Sequence, residues 1–159
     1  MQQKTLARWL QAITIIVGVI GAGLYAYIFP VWGQTWAHAH PEFAYAYWPW
    51  LVFLWVTAVP CYVCLGYFFR ICTRIGEDRS FCAENARALA RICQWLLADA
   101  AVAFAGNIGL WLCNMSHPGI VILGCVIIFA GVAIAVVAAT LSHFVRKACS
   151  IQEENDLTI

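Results

Sequence analysis

Asp99 is the one carboxylate inside a long apolar run of this sequence, between Arg91 and Asn107. An ionised carboxylate away from water is costly unless paired, so it needs a proton, a hydrogen-bond donor or a cation. At helical spacing it shares a face with Ile92, Ala103 and Gly106, and Asn107 lies nearby two turns on. Thr14, Thr57, Tyr62, Tyr67 and Thr140 are candidate donors within the apolar runs. The chemistry on offer is a proton or small-cation site. The plainer reading is a structural residue that fixes helix register. A single carboxylate with no second acid beside it favours that reading.

Cys61 and Cys64 form a C-x-x-C pair just after Pro60. On a helix that spacing puts both thiols on one face, and low-pKa pairs of this kind exchange disulfides. Quinone-linked membrane thiol oxidases carry such pairs. A relay would also want a second pair near the outer face, and none of the eight cysteines lies between Val31 and Pro49. Cysteine in an apolar setting otherwise acts as a small hydrophobe. His38, His40 and Glu42 alternate in a third candidate group, with His117 elsewhere. On an extended strand the first three would point one way and offer zinc or copper ligands. Pro41 interrupts that register, and a solvated polar cluster is the better reading. No metal or cofactor is called for.

These residues are held by an unusually apolar chain. Of 159 residues, 64% are apolar and 11% charged, against about 45–50% and about 25% in ordinary soluble domains. Mean hydropathy is +0.79. A soluble globule of this size would expose large apolar patches. That excludes a soluble enzyme, a disordered chain and a nucleic-acid module with a basic face, so no direct nucleic-acid contact is expected. A bilayer core needs roughly 20 apolar residues per helix, and four stretches supply them: about 9–31, 50–69, 93–113 and 120–144. The first is too long for a cleaved signal segment, although Ala37-His38-Ala39 mimics a cleavage site.

All nine basic residues (Lys4, Arg8, Arg70, Arg74, Arg79, Arg87, Arg91, Arg146 and Lys147) fall before the first stretch, between the second and third, or after the fourth. Basic residues stay on the cytoplasmic side. The chain therefore reads as an all-α membrane protein of the cell membrane. It is one four-helix domain with both termini, a loop over 70–92 and a tail over 145–159 in the cytoplasm. Trp32, Trp36, Phe43, Tyr45, Tyr47, Trp48 and Trp50 read as an outer interfacial belt. Small residues (Gly18, Gly21, Gly106, Gly124, Gly131, Ala135, Ala138) suit close helix packing within the bundle, with a homodimer as the rival use.

In the middle loop, Gly76-Glu77-Asp78 reads as a turn, with Asp78 or Ser80 capping a new helix. No Pro or Gly interrupts Phe81 to Ala105, so one long helix starts in the cytoplasm and enters the membrane. Phe81, Ala88, Ile92 and Leu96 would share one of its faces, Glu84, Arg87 and Arg91 a neighbouring one. The tail turns acidic after Arg146-Lys147 and ends Asp156-Leu157-Thr158-Ile159. A short extended segment of that kind docks on a partner.

Gly76, Ser80-Phe81, Glu84-Asn85, Leu89 and Ile92, with the ending Glu153-Glu154-Asn155-Asp156-Leu157-Thr158-Ile159, resemble a bacterial family of small four-helix membrane proteins known only as a domain of unknown function. The likeness spans nearly the whole chain in layout, and the tail is its sharpest part. The cysteine pair and the Trp-rich segment depart from or add to the pattern. The resemblance implies a small cytoplasmic helix-turn-helix regulator as partner, since the genes often lie side by side, and carries over no catalytic residue. The expected function is a non-enzymatic membrane regulator or sensor. Its docking residues would be Phe81, Glu84, Asn85, Arg87, Arg91, Glu153, Glu154, Asp156, Leu157 and Ile159. The alternatives are thiol-disulfide exchange through Cys61 and Cys64, and transport of a small cation or hydrophobic compound through Asp99.

Overall fold

The computed structural model describes residues 3–157, and within them every side chain except those at 153 and 155–157. Among these residues the chain forms helices and turns only. α1 (Gln3–Gly23) runs through one π-helical turn (Leu24–Ile28) into α2 (Phe29–Ala39). A 3-10 turn (Pro41–Ala46) leads to α3 (Tyr47–Gly76), then α4 (Ala83–Leu112) and α5 (Pro118–Leu157). Four helical runs are long and apolar enough to cross a bilayer: Gln3–Ala39, Pro41–Gly76, Ala83–Leu112 and Pro118–Gln152.

The π turn has a cause in the sequence. Pro30 lacks an N–H, and its ring collides with the carbonyl four residues back. A widened turn before it relieves the clash, and Phe29 N–H reaches back five residues to Leu24 O. The Tyr25 carbonyl thereby loses its usual helical donor, and Trp55 Nε1 supplies one at 3.1 Å. The first span, expected to end near residue 31, therefore continues as helix to Ala39. The chain breaks only at His40 (φ −133°, ψ 80°), just before Pro41.

Two tight turns reverse the chain. Asp78 takes φ 60° and Asn114 φ 56°, a left-handed conformation that short polar side chains tolerate. At the end of α3, Arg79 N bonds to Arg74 O (3.0 Å) and Asp78 N to Ile75 O (3.3 Å). At the end of α4, Met115 N bonds to Leu110 O (2.9 Å) and Asn114 N to Trp111 O (3.0 Å). Both are Schellman closures with an Asx residue in the position usually taken by glycine. The cap expected from Asp78 or Ser80 does not form. Cys82 precedes α4 in extended conformation without a side-chain cap, and Phe81 lies ahead of the helix, not on its face. α4 is otherwise the single long helix that its unbroken pattern predicts. The tail differs from expectation. With no Gly or Pro after Gly131, α5 stays helical through Leu157 where an extended segment was predicted.

The helices pack as a row. α1 lies on α3, α3 on α4 and α4 on α5, and among the described residues α1 and α5 share no close backbone contact. The best-buried cluster sits at one end, where Ile71 meets Ala86, Ala88, Leu89 and Ile92 of α4 and Ala138 and Val145 of α5. On α5 the buried positions Ala135, Ala138, Ser142 and Val145 follow a 3-4-3 spacing, the seam of a coiled coil. Ser142 Oγ donates to Ala86 O at 2.7 Å. Small side chains let these two backbones come close. Elsewhere the row turns large apolar residues outward: Phe129 is 75% and Leu112 73% exposed, as lipid-facing residues are. All nine basic residues fall at the end that carries this cluster, on the first turns of α1, the facing ends of α3 and α4, the turn between them (Arg79) and late α5.

The α4–α5 seam gives the first prediction. Ala135 is fully buried, and a larger side chain there must push the backbones apart, at about 1–3 kcal/mol. A Cβ on Gly131 meets nothing within 4 Å. Thermal unfolding in detergent should therefore show Ala135→Leu melting lower than the parent and Gly131→Ala melting equal or higher, since Ala is the better helix former.

Candidate functional site

The apolar middle of the row holds one polar cluster. Cys61 Sγ lies 3.8 Å from Asp99 Oδ2, within reach of an S–H···O bond. The other oxygen, Oδ1, is buried with no partner. Tyr25, carried on the π turn, lies within electrostatic reach of Cys61, Asp99 and Tyr62. The five expected donors do not serve Asp99. Thr14 bonds Leu10 O, Thr57 bonds Leu54 O, Tyr62 bonds Gly18 O and Thr140 bonds Val136 O, and Tyr67 packs against the buried cluster at the basic end. Sequence reasoning missed the Cys61 contact and Tyr25. Pro30 was the signal for Tyr25, since the π turn it imposes carries that residue; the Cys61 contact depends on the register between α3 and α4.

Cys64 Sγ lies 3.8 Å from Ile92 O, and both thiols are free. Asn107 is 97% buried on the α4–α5 contact. Its Nδ2 donates to Val121 O at 3.1 Å, and its Oδ1 is unpartnered. Gly124 makes room for it, because a Cβ there would overlap the Asn107 amide. Gly106 likewise admits the Phe53 ring. Asp99 and Asn107 thus face different neighbours, α3 and α5.

At the aromatic end several belt residues act as ties. Trp50 Nε1 donates to Met115 O (2.7 Å), Tyr45 OH to Asn114 O (2.9 Å) and Tyr47 OH to Pro30 O (3.5 Å). Trp32, Trp36 and Trp48 remain about two-thirds exposed, as belt residues are. His38 lies in the last turn of α2, His40 stands in the break and Glu42 lies in the 3-10 turn, so the strand-like alternation is absent. Trp36 and His40 stack at 5.3 Å. Among the described residues no three His, Cys, Asp or Glu gather in a metal-holding group.

The basic end carries two grooves. The first, about 330 Å³, is lined by Gln3, by Asp78 through Cys82 and by Gln152. It brings together the start of α1, the middle turn and the last turns of α5. Phe81 stands 58% exposed on it. The second, about 260 Å³, is lined by Tyr67, Arg70, Arg74, Glu84, Arg87, Ala88 and Arg91. Glu84 meets Arg79 at 3.5 Å, an exposed pair of small worth. Its carboxyl is held below the usual range by the Cys82 thiol and its own backbone N–H, then by Arg79 and Arg74. Asn85, expected on the surface, is 1% exposed. Its Nδ2 donates to Arg79 O (3.2 Å) and Ser80 O (3.0 Å), and Arg74 Nη1 lies 3.4 Å from its Oδ1. It staples the turn rather than meeting a partner. Among the tail residues, the side chains of Glu153, Asp156 and Leu157, and all of Ile159, lie outside the described residues.

The chain matches the family described as "Protein of unknown function (DUF2975)" over residues 31–159, and it belongs to that family. It is 29% identical over 154 residues to the "Uncharacterized membrane protein YoaS" of Bacillus subtilis (strain 168), an alignment covering 95% of this chain and 96% of that protein. No solved structure matches it. It is a multi-pass membrane protein in contact with the lipid bilayer.

The staple is testable. Removing the Asn85 amide leaves the Arg79 and Ser80 carbonyls without their donor, at a cost of about 1–3 kcal/mol. Asn85→Ala should lower the melting temperature in detergent and speed tryptic cleavage after Arg79. Unchanged cleavage would show that the turn holds itself.

Proposed function

We propose that this DUF2975 protein is a non-enzymatic membrane regulator whose basic end faces the cytoplasm and holds a small helix-turn-helix transcription regulator there. A signal in the bundle or at the aromatic end would release it. The observation that carries this reading is the first groove, lined by the middle turn and by Gln152 of α5, the residue just before the acidic ending with the sharpest sequence signature. Orientation follows from the basic residues, all at that one end. The exposed Phe81 ring offers an apolar anchor. The carboxylates at Glu153, Glu154 and Asp156 offer negative charge, and a DNA-binding partner is basic. The acidic end also disfavours a lipid-anchor role for the tail, which an anionic membrane face would repel.

A second reading, transport of a small cation through Asp99, has one observation in its favour, the unpartnered buried Oδ1. Proteoliposome flux separates the two. Sodium, potassium or proton flux abolished by Asp99→Asn would favour transport, and no flux in the parent protein would remove it.

The docking reading is tested by co-purifying the full-length protein, in detergent, with a small helix-turn-helix regulator from the same genome. Phe81→Glu, or removal of residues 150–159, should cut recovery about tenfold or more, the loss of one anchor. Undiminished recovery with both changes would overturn the proposed surface. Phe81 is exposed and outside every helix, so its replacement leaves the fold intact.

A further inference from the structure

Glu84, Arg87 and Arg91, expected among the docking residues, line the second groove at the basic end, apart from the groove that carries the docking reading. Arg70 and Arg74 stand four residues apart on α3, and Arg87 and Arg91 four apart on α4. Each pair shares a helix face, and the two faces meet, so that four guanidiniums line one groove. Like charges this close repel unless something neutralises them. The protein supplies little. The groove's one carboxylate, Glu84, is engaged by Arg79. Arg74 and Arg91 each give one donor to a neutral amide, Asn85 and Gln94. Arg70 and Arg87 have no hydrogen-bond or ion-pair partner among the described residues.

Depth in the membrane selects the ligand. Arg70 directly follows the apolar stretch 50–69, and Arg91 stands two residues before the stretch 93–113. Arginines at this boundary meet the phosphate layer of the bilayer. Phe68, Phe69 and Trp95, within about a turn of them along the helices, are partly exposed on the apolar side. A guanidinium forks onto phosphate oxygens through paired N–H donors. Two arginine pairs facing each other match two phosphates better than one.

We propose that this groove binds the headgroup of an anionic phospholipid with two phosphates, of the cardiolipin class, its acyl chains lying along the apolar flanks of α3 and α4. Arg70 and Arg87 are the free forks, and Arg74 and Arg91 complete the charge. The site does not rest on the docking reading, since it is a separate groove on the same end.

The test uses the full-length protein in a neutral detergent, with native mass spectrometry of retained lipid and thermal unfolding as readouts. Cardiolipin should be retained and should raise the melting temperature over phosphatidylcholine. Arg70→Gln with Arg87→Gln removes two charges from the groove. At about a factor of five per basic residue, this should weaken cardiolipin about 30-fold at low salt. Lys4→Gln with Arg8→Gln removes the same net charge elsewhere and should change binding less than about threefold. Arg70→Lys with Arg87→Lys keeps the charge and loses the fork, so it should fall between. This conservative pair also stands in if the glutamine pair melts early in phosphatidylcholine. Equal losses in the groove and control pairs would overturn the site in favour of general surface attraction. So would no preference for cardiolipin over phosphatidylcholine in the parent, or displacement of the lipid by an equal concentration of pyrophosphate.

Discussion

Backbone carbonyls that lose their helical partners inside an apolar medium must find donors elsewhere, and this requirement organises the row of helices. Each such group left bare in hydrocarbon is costly. α3 answers with its aromatic residues and those just ahead of it. Trp55 serves Tyr25 O at the π turn, and Tyr47 adds a 3.5 Å bond to the Pro30 carbonyl inside α2. Tyr45 and Trp50 serve Asn114 and Met115, past the end of α4. Tyr62 adds a bond to Gly18 O, with Gly21 leaving room for its hydroxyl. α3 is therefore the helix on which the first span and the α4–α5 turn are both hung. Large rings do this well because they combine lipid-compatible area with one polar atom.

The same medium explains where the tight core sits. Between helices surrounded by lipid there is no hydrophobic drive to associate, only packing and polar ties. The basic end reaches beyond the apolar stretches, and there burial regains its force. Ile71, Leu89, Ile92 and Val145 close against small residues at that end, and Ala7 comes up to Gly76 from α1. The row stays open in the bilayer and is cemented at its end. A membrane protein built this way has its best-buried cluster close to the end where the middle turn, Asn85 and Gln152 lie.

Sequence pattern carried the four spans, the reversal at residues 76–78, the unbroken α4 and the sorting of basic residues to one end. These are properties of composition and position, which a period or a charge count detects. What it did not carry depends on how elements meet. The first span read as ending near Val31, but a π turn absorbs Pro30 and the helix goes on to Ala39. Asn85 read as a docking residue in the Glu84-Asn85 pattern, yet its amide reaches back over the turn to Arg79 and Ser80. The Asp99–Cys61 contact needs the register between α3 and α4, which no single-helix pattern contains. The tail read as extended because its last residues alternate, whereas helix propagation from α5 costs less than a new start.

Asn85 is also where the two grooves touch. Its Oδ1 faces Arg74, which lines the arginine groove, and its Nδ2 holds the Arg79 and Ser80 carbonyls, which line the other. A guanidinium has five N–H donors, and Arg74 gives one to Asn85. A phosphate in the arginine groove can take the remaining donors without releasing the staple. Neutralising the four guanidiniums would relieve repulsion across the α3–α4 contact and hold those helix ends together, which keeps the turn between them in place. A bound anionic lipid and a docked protein would then support each other through one buried amide, because both act on the same six-residue connection between Gly76 and Ala83.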